Sequence, residues 1–330
     1  MPRGQTVTVT LKEIQDAYQR IESHIVKTPL LNSPRLDAIA GRTLWLKAES
    51  LQVTGSFKFR GACSAVSALS SEVLERGVVA YSSGNHAQGV ALAAKIWGAR
   101  ATIIMPHDAP LNKVANTEAY GARVIHYKRG VESREAIGKQ LATEEGLHLI
   151  KPYDDPHVIA GQGSIGLELA DQLREAGAKA GSLLCCCGGG GLSAGLATAL
   201  QSLAKDITLH TVEPEGFDDT ARSLSLGERV TNATERGSIC DAIVTPTPGE
   251  LTFPVLKRYA GPGFAVSDSA VLNAMKVAFD TLKLVIEPGG AVALAAALDP
   301  ATLPDDQELV VVASGGNVDE RVFQQALQFE

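Results

Sequence analysis

Short apolar runs alternate along this chain with longer stretches whose apolar residues recur every three or four positions. Leu11, Ile14, Tyr18, Ile21 and Ile25 lie on one face of a helix, and Thr10 with Glu13 supplies its capping box. The apolar runs predict strands at Thr43 to Lys47, Gly77 to Ser82, Ala101 to Met105, Arg123 to Tyr127, Leu183 to Cys187, Thr208 to Val212 and Glu308 to Ser314. Nearly every one leads through a turn into a helical stretch. Strands alternating with helices predict an α/β fold with mostly parallel, twisted sheets flanked by helices. Three strand-helix units crowd between Val78 and Tyr153, and Pro152-Tyr153-Asp154-Asp155-Pro156 reads as the way back out. This predicts two domains: a small one at 78–154, inserted in a large one built from 1–77 and 155–330. No repeat of solenoid period and no low-complexity tract interrupts the pattern.

Composition narrows the class. At 330 residues, 45% hydrophobic and 20% charged, the chain is long enough for a large buried core. Its net charge of −7 is spread along the sequence with no basic stripe, which excludes nucleic acid as the expected partner. The first ten residues lack an apolar signal core, and the longest apolar stretch, Ala291 to Leu298, is too short to span a bilayer. A cytoplasmic location without membrane contact is the expectation. Of five cysteines, Cys185, Cys186 and Cys187 are consecutive; neighbours on a strand face opposite ways and cannot share one zinc ion. They read, with Cys63 and Cys240, as small buried side chains in a reducing compartment.

The candidate chemistry sits where strands end. Gly188 to Gly191 separate a buried strand from a helical segment, Leu192 to Leu200. Glycines let a ligand approach the amides, and a helix N-terminus adds its dipole, so this turn is an anion cradle suited to a phosphate. One or two glycines would read as a packing turn; four in a row favour a ligand. No Lys-Ser or Lys-Thr follows, so the nucleoside-triphosphate loop is excluded and a cofactor monophosphate fits better. Ser82-Ser83-Gly84-Asn85-His86 and Ser314-Gly315-Gly316-Asn317 are further glycine turns after strands. In open parallel sheets ligands collect at the carboxyl ends of strands, so the three turns predict one shared cleft. Gly161-Gln162-Gly163-Ser164-Ile165-Gly166 matches the dinucleotide fingerprint, but a polar, proline-broken segment precedes it instead of a strand. Close packing of a helix from Ser164 to Arg174 explains those glycines better. Finally, Lys58 lies between Phe57 and Phe59, where desolvation would lower its pKa as a Schiff-base amine requires. Alone, that segment leaves two readings open: such an amine, or a lysine snorkelling from a helix start.

Ser56-Phe57-Lys58-Phe59-Arg60-Gly61-Ala62, Ser82 to His86, Ala160-Gly161-Gln162-Gly163, Gly188 to Gly191 and Ser314 to Asn317, in this order and spacing, resemble the pyridoxal-phosphate (PLP) enzymes of the serine/threonine dehydratase and serine racemase family. The resemblance runs from Thr28-Pro29-Leu30 to Asn317 and implies fold type II, with the cofactor in a cleft between the two domains. It implies that Lys58 carries PLP as a Schiff base, that Gly188, Gly189, Gly190 and Gly191 hold its phosphate, and that Ser314 meets the pyridine nitrogen. Asn85 would reach the ring hydroxyl and Phe57 would pack near the ring. Ser82, Ser83, Gly84, Asn85 and His86 would receive the substrate α-carboxylate, with Ser83 also matching the proton-handling serine of racemases. A serine hydroxyl cannot stabilise a charged pyridinium as an aspartate can, which suits β-elimination.

Glu213, Asp219 and the Phe217 carbonyl resemble a divalent-cation site for Mg²⁺ or Ca²⁺; a solvated acidic loop is the other reading. Arg134 could meet a second substrate carboxylate or form an ordinary helix-surface ion pair. Thr245 to Thr252 is expected on the substrate side. The implied activity is a dehydratase, an ammonia-lyase of L-threonine or L-serine acting by α,β-elimination. Alternatives are 3-hydroxyaspartate, a hydroxyectoine-breakdown intermediate, or racemisation of serine. An NAD-dependent oxidoreductase would rest on the 161–166 glycines alone. A homodimer is expected from the resemblance, and the short stretch after Ser314 points to a form without a C-terminal regulatory domain.

Overall fold

The computed structural model describes residues 9–109, 111–234, 236–303 and 305–329. Its strands are β1 (Leu30–Leu31), β2 (Thr43–Ala48), β3 (Val78–Tyr81), β4 (Ala101–Pro106), β5 (Arg123–Tyr127), β6 (His148–Leu149), β7 (Ser182–Cys186), β8 (Thr208–Pro214), β9 (Phe264–Val266) and β10 (Glu308–Ala313). They form a six-stranded sheet in the order β1-β2-β10-β7-β8-β9 and a four-stranded sheet in the order β5-β4-β3-β6. Every pairing between these strands is parallel except that of β1 with β2. All seven strands expected from the apolar runs are present. The three additional ones, β1, β6 and β9, have two or three residues, too few for any periodicity to mark them.

Strands β7 and β10 are buried almost throughout because helices cover both faces, and so they read as unbroken apolar runs. The Ala291–Leu298 stretch belongs to the helix Pro288–Leu298, which packs on β7 and β10 and against the helix Asp268–Leu282. Among the described residues no helix is long and apolar enough to cross a membrane.

The 161–166 glycines sit elsewhere than expected. Their helix begins at Pro156, not Ser164, and runs to Ala176. Asp155 caps it, its carboxylate accepting from the amides of His157 (2.8 Å) and Val158 (3.1 Å), and Pro156 occupies the first turn, where its missing N–H does no harm. The glycines therefore lie inside a helix rather than in a strand-to-helix turn, which removes the basis for a nicotinamide site there. Their use is close approach. A Cβ on Gly195, in the helix Gly191–Leu203, would lie 2.5 Å from the Ile159 carbonyl and 2.6 Å from the Gly163 nitrogen. One on Gly161 would lie 2.6 Å from the Arg60 carbonyl.

The helix Pro156–Ala176 also takes part in a buried ionic quartet. The Arg60 guanidinium donates to Glu49 (2.8 Å) and Glu168 (2.7 Å), and the Lys47 ammonium donates to Glu168 (2.6 Å) and the Thr28 carbonyl (2.7 Å). Lys47, Arg60 and Glu49 have side chains with 0% exposure, so the two cations and two carboxylates balance each other out of water. The quartet ties β2 and the helix Pro156–Ala176 to the start of the helix Lys58–Ser67. Arg60 is two residues from the lysine that matters most.

Candidate active site

The carboxyl ends of β3, β7 and β10 face one cleft of about 170 Å³ between the two sheets. Phe57, Lys58, the segment Ser82 to His86, Gly188 to Gly191 and Ser314 all line it. Motifs from both ends of the chain and from its middle thus converge.

Lys58 opens the helix Lys58–Ser67, and its Nζ donates to the Pro152 carbonyl at 2.9 Å. The ammonium lies 5.2 Å from the centre of the Phe57 ring. Burial pulls its pKa down to about 8, partly opposed by Cys186 and Glu287, so the neutral, nucleophilic amine is far more accessible near physiological pH than for an ordinary lysine. Tyr153, next to Pro152, lies directly on the glycine loop, and a Cβ on Gly189 would overlap its ring. Gly190 has φ +89°, a conformation that side chains resist, and caps the helix Gly191–Leu203. A Cβ on Gly188 would stand 2.9 Å from the Ile243 carbonyl. The Gly189 carbonyl is fixed by Thr252 Oγ1 (2.6 Å) and the Gly249 amide (3.2 Å), on the side away from the N–H of the same peptide. Thr245 lines the cleft, whereas Thr252 braces the loop from behind, so the 245–252 segment is divided between the two tasks.

A polar chain orients Asn85. Its Nδ2 donates to Glu287 Oε1 (2.5 Å), and its Oδ1 accepts from Asn317 Nδ2 (2.8 Å), which also donates to the Thr54 carbonyl (2.7 Å). The amide cannot flip, and its second N–H remains for a ligand. Burial raises Glu287 to about 7, with Lys113 and the Asn85 hydrogen bond pulling it back. Cys186 Sγ donates to Ser314 Oγ at 3.2 Å, and the Ser314 carbonyl accepts from the Phe57 amide at 3.0 Å, which joins β10 to the Lys58 segment.

His86 lines the cleft with the rest of its segment. Burial and the Lys58 charge push its pKa down to about 3, so the ring is neutral. Nε2 donates to the Ile150 carbonyl (3.0 Å), which leaves the buried Nδ1 an unpartnered acceptor. It lies in the first turn of the helix Asn85–Ile96, where backbone N–H groups lack intrahelical partners.

Arg134 combines a place on the cleft wall with an ion pair. It lines the cleft 5.5 Å over the Tyr81 ring, and its Nε donates to Glu135 at 2.8 Å. Glu213 and Asp219 lie apart from the cleft. Glu213 is buried, and its two oxygens accept from the amides of Thr220 (3.0 Å) and Ala221 (2.8 Å). Asp219 Oδ1 accepts from Asn232 (2.6 Å) and Oδ2 is buried without a partner. Burial raises both pKa values, Asp219 to about 7, and the charge of Asp219 adds to the rise at Glu213. These are not solvated acids.

Sequence reasoning overlooked Tyr81, Lys113, Tyr153, Cys186, Asp241 and Glu287, all of which line the cleft. Only Glu287 carried a local signal. Glu287-Pro288-Gly289-Gly290 reads as a helix start with proline in the first turn, although the Glu287 carboxylate turns away from that helix to reach Asn85.

The family model for pyridoxal-phosphate dependent enzymes matches residues 21–315. The L-threo-3-hydroxyaspartate ammonia-lyase of Saccharomyces cerevisiae is 42% identical over 269 residues, 82% of this chain and 81% of that one. The serine racemase of Dictyostelium discoideum is 40% identical over 274 residues, 83% of each chain. Its crystal structure superposes with a TM-score of 0.87, covering 94% of this chain and 99% of that one. The threonine deaminase structure from T.th. superposes at 0.88 with 45% identity and the same coverage. With its Lys58 amine and glycine cradle joined in one cleft, the chain belongs to the fold type II pyridoxal-phosphate enzymes, in the family of serine racemases, threonine deaminases and hydroxyaspartate ammonia-lyases.

Proposed function

We propose that the protein is an ammonia-lyase of L-β-hydroxy-α-amino acids, with L-threonine and L-serine as its neutral substrates. The observation that carries the reading is the Lys58 amine, held near neutrality beside a glycine loop that tolerates no side chain. The residues fit PLP: an amine for its aldehyde, an anion cradle for its phosphate, Phe57 beside the ring, and the Ser314 hydroxyl in place of an acid. Bound there, PLP supplies an electrophilic carbonyl and an electron-accepting ring.

The chain's own groups divide the remaining work. Lys58 Nζ, once free, takes the substrate Cα proton, and the β-hydroxyl leaves with a proton as water. Tautomerisation and hydrolysis then give a 2-oxo acid and ammonia. Backbone N–H groups at the start of the helix Asn85–Ile96 hold the α-carboxylate, and Asn85, locked by Glu287 and Asn317, orients the ring. Ser83 Oγ is the candidate proton carrier for the opposite face, so serine racemisation belongs in the same test. The Ser314 hydroxyl supports elimination, since it does not stabilise a pyridinium as an acid would.

Arg134 favours a second reading. Its guanidinium on the cleft wall suits the extra carboxylate of 3-hydroxyaspartate, on which the similar yeast enzyme acts. Glu213, Asp219 and the Phe217 carbonyl are proposed to hold Mg²⁺ or Ca²⁺, supported by the orphaned Asp219 Oδ2 and the raised pKa values.

The purified protein should be yellow, with an absorbance band that borohydride removes and that Lys58→Ala lacks. It should release ammonia and 2-oxo acid from L-threonine and L-serine. Arg134→Met should lower kcat/KM for 3-hydroxyaspartate at least ~10-fold while changing that for L-serine little. A colourless protein that binds NAD would overturn the assignment.

A further inference from the structure

The wall expected to receive the substrate α-carboxylate carries no charge of its own. Ser82, Ser83, Gly84 and Asn85 are neutral, and His86 is held neutral by burial and offers only a lone pair at Nδ1. A carboxylate entering such a wall loses water and needs a compensating cation. The helix Asn85–Ile96 supplies about half a charge at its N-terminus, and a full cation beside it would complete the compensation.

Lys113 stands opposite. It belongs to the helix Leu111–Ala119 and lines the same cleft. Its Nζ lies 4.0 Å from where a Cβ on Gly84 would stand, and apart from chain neighbours no other atom comes within 4 Å of that point. The gap between the Gly84 backbone and the ammonium therefore exists because residue 84 has no side chain. The same ammonium lowers the pKa of Glu287 through its charge, so its field already reaches an acid in the cleft.

We propose that Lys113 is the counter-charge of the substrate α-carboxylate, which lies in the gap between its ammonium and the backbone N–H groups of Asn85 and His86. Lys113 thereby selects α-amino acids with a free carboxylate over their amides. The inference rests on the lyase reading for the identity of the substrate, but the ligand class it names can be tested without turnover.

Holoenzyme variants Lys113→Met, Lys113→Arg and Gly84→Ala are titrated calorimetrically with L-alanine, which has no leaving group, and with L-alaninamide. Lys113→Met should weaken L-alanine roughly 10–100-fold and change L-alaninamide less than about twofold. Lys113→Arg should recover most of the loss, and Gly84→Ala, which fills the gap, should resemble Lys113→Met. With L-serine, KM should rise by the same factor as the alanine dissociation constant, with kcat nearly unchanged. Equal weakening of acid and amide would assign Lys113 to holding Glu287 or the fold, and overturn the proposal. Unchanged L-alanine binding in Lys113→Met would overturn it as well. If L-alanine binding depends on Lys113 but no hydroxy amino acid yields a 2-oxo acid, the lyase reading fails and this one stands. If turnover occurs and alanine affinity ignores Lys113, the outcome is reversed.

Discussion

Replacing Lys58 by methionine in the cofactor-free protein isolates the free energy of housing that amine. Burial lowers the pKa of the folded protein to about 8 from an ordinary value of 10.5. A shift of that size corresponds to about 3 kcal/mol against folding when both states are charged. The side chain is only partly buried and faces a cleft that water enters, so screening reduces the effect to ~1–2 kcal/mol. The sign follows from proton counts. Between pH 8 and 10.5 the unfolded chain binds more protons at this lysine than the folded one, so wild-type stability gains on the variant as pH rises. Below about pH 8 the penalty is complete; by about pH 10.5 it is gone. Lys58→Met apoprotein should therefore melt higher than wild type at pH 7, by ~2–4 °C for a chain of this size, and the gap should shrink steadily towards pH 10. Calorimetry at closely spaced pH values measures this. The methionine also changes packing, but that offset does not depend on pH, so the slope is the diagnostic. A gap that stays constant or widens with pH would refute the claim that the amine is held near neutrality by desolvation.

Three further outcomes are expected. Arg60→Met strands Glu49 and Glu168 as buried, half-compensated carboxylates and should cost about 3–5 kcal/mol in denaturant unfolding; double replacement of Glu49 and Arg60 by apolar residues should recover part of it. Gly189→Ala drives a methyl into the Tyr153 ring and should weaken PLP binding at least ~10-fold by equilibrium dialysis, with far-ultraviolet circular dichroism unchanged. Mg²⁺ or Ca²⁺ at about 100 times its dissociation constant should stabilise the protein by about 2.7 kcal/mol at pH 8 and less at pH 6, where Asp219, which titrates near 7, is protonated. Asp219→Asn should abolish that gain; an equal gain in the variant would place the ion elsewhere.

What could be read in the sequence were signals carried by neighbours in the chain. The strands that end in Ser82, Cys187 and Ser314 are local apolar runs, and each glycine turn after them is a local conformational demand. The start of the helix Pro156–Ala176 is also a local signal, an Asp-Pro cap, which lies upstream of the glycines that match a dinucleotide fingerprint. Asn85 and Ser314 were visible as polar residues in turns. Their pairing with Glu287 and Cys186 was not, because the spacings of 202 and 128 residues that separate them carry no periodicity.

The alternation of strand and helix, the turns where an anion is welcome, and the amine placed between two phenylalanines were all written in the order of residues. These follow from side-chain size, backbone freedom and period, which act over a few positions. Folding in three dimensions settled which of those turns face the same cleft, that His86 is neutral, that Arg60 is sealed in a balanced ionic quartet, and that Lys113 faces the bare backbone of Gly84. Burial and Coulomb interaction depend on what surrounds a group in space, and in this fold the surroundings of each group come from segments far apart in the chain.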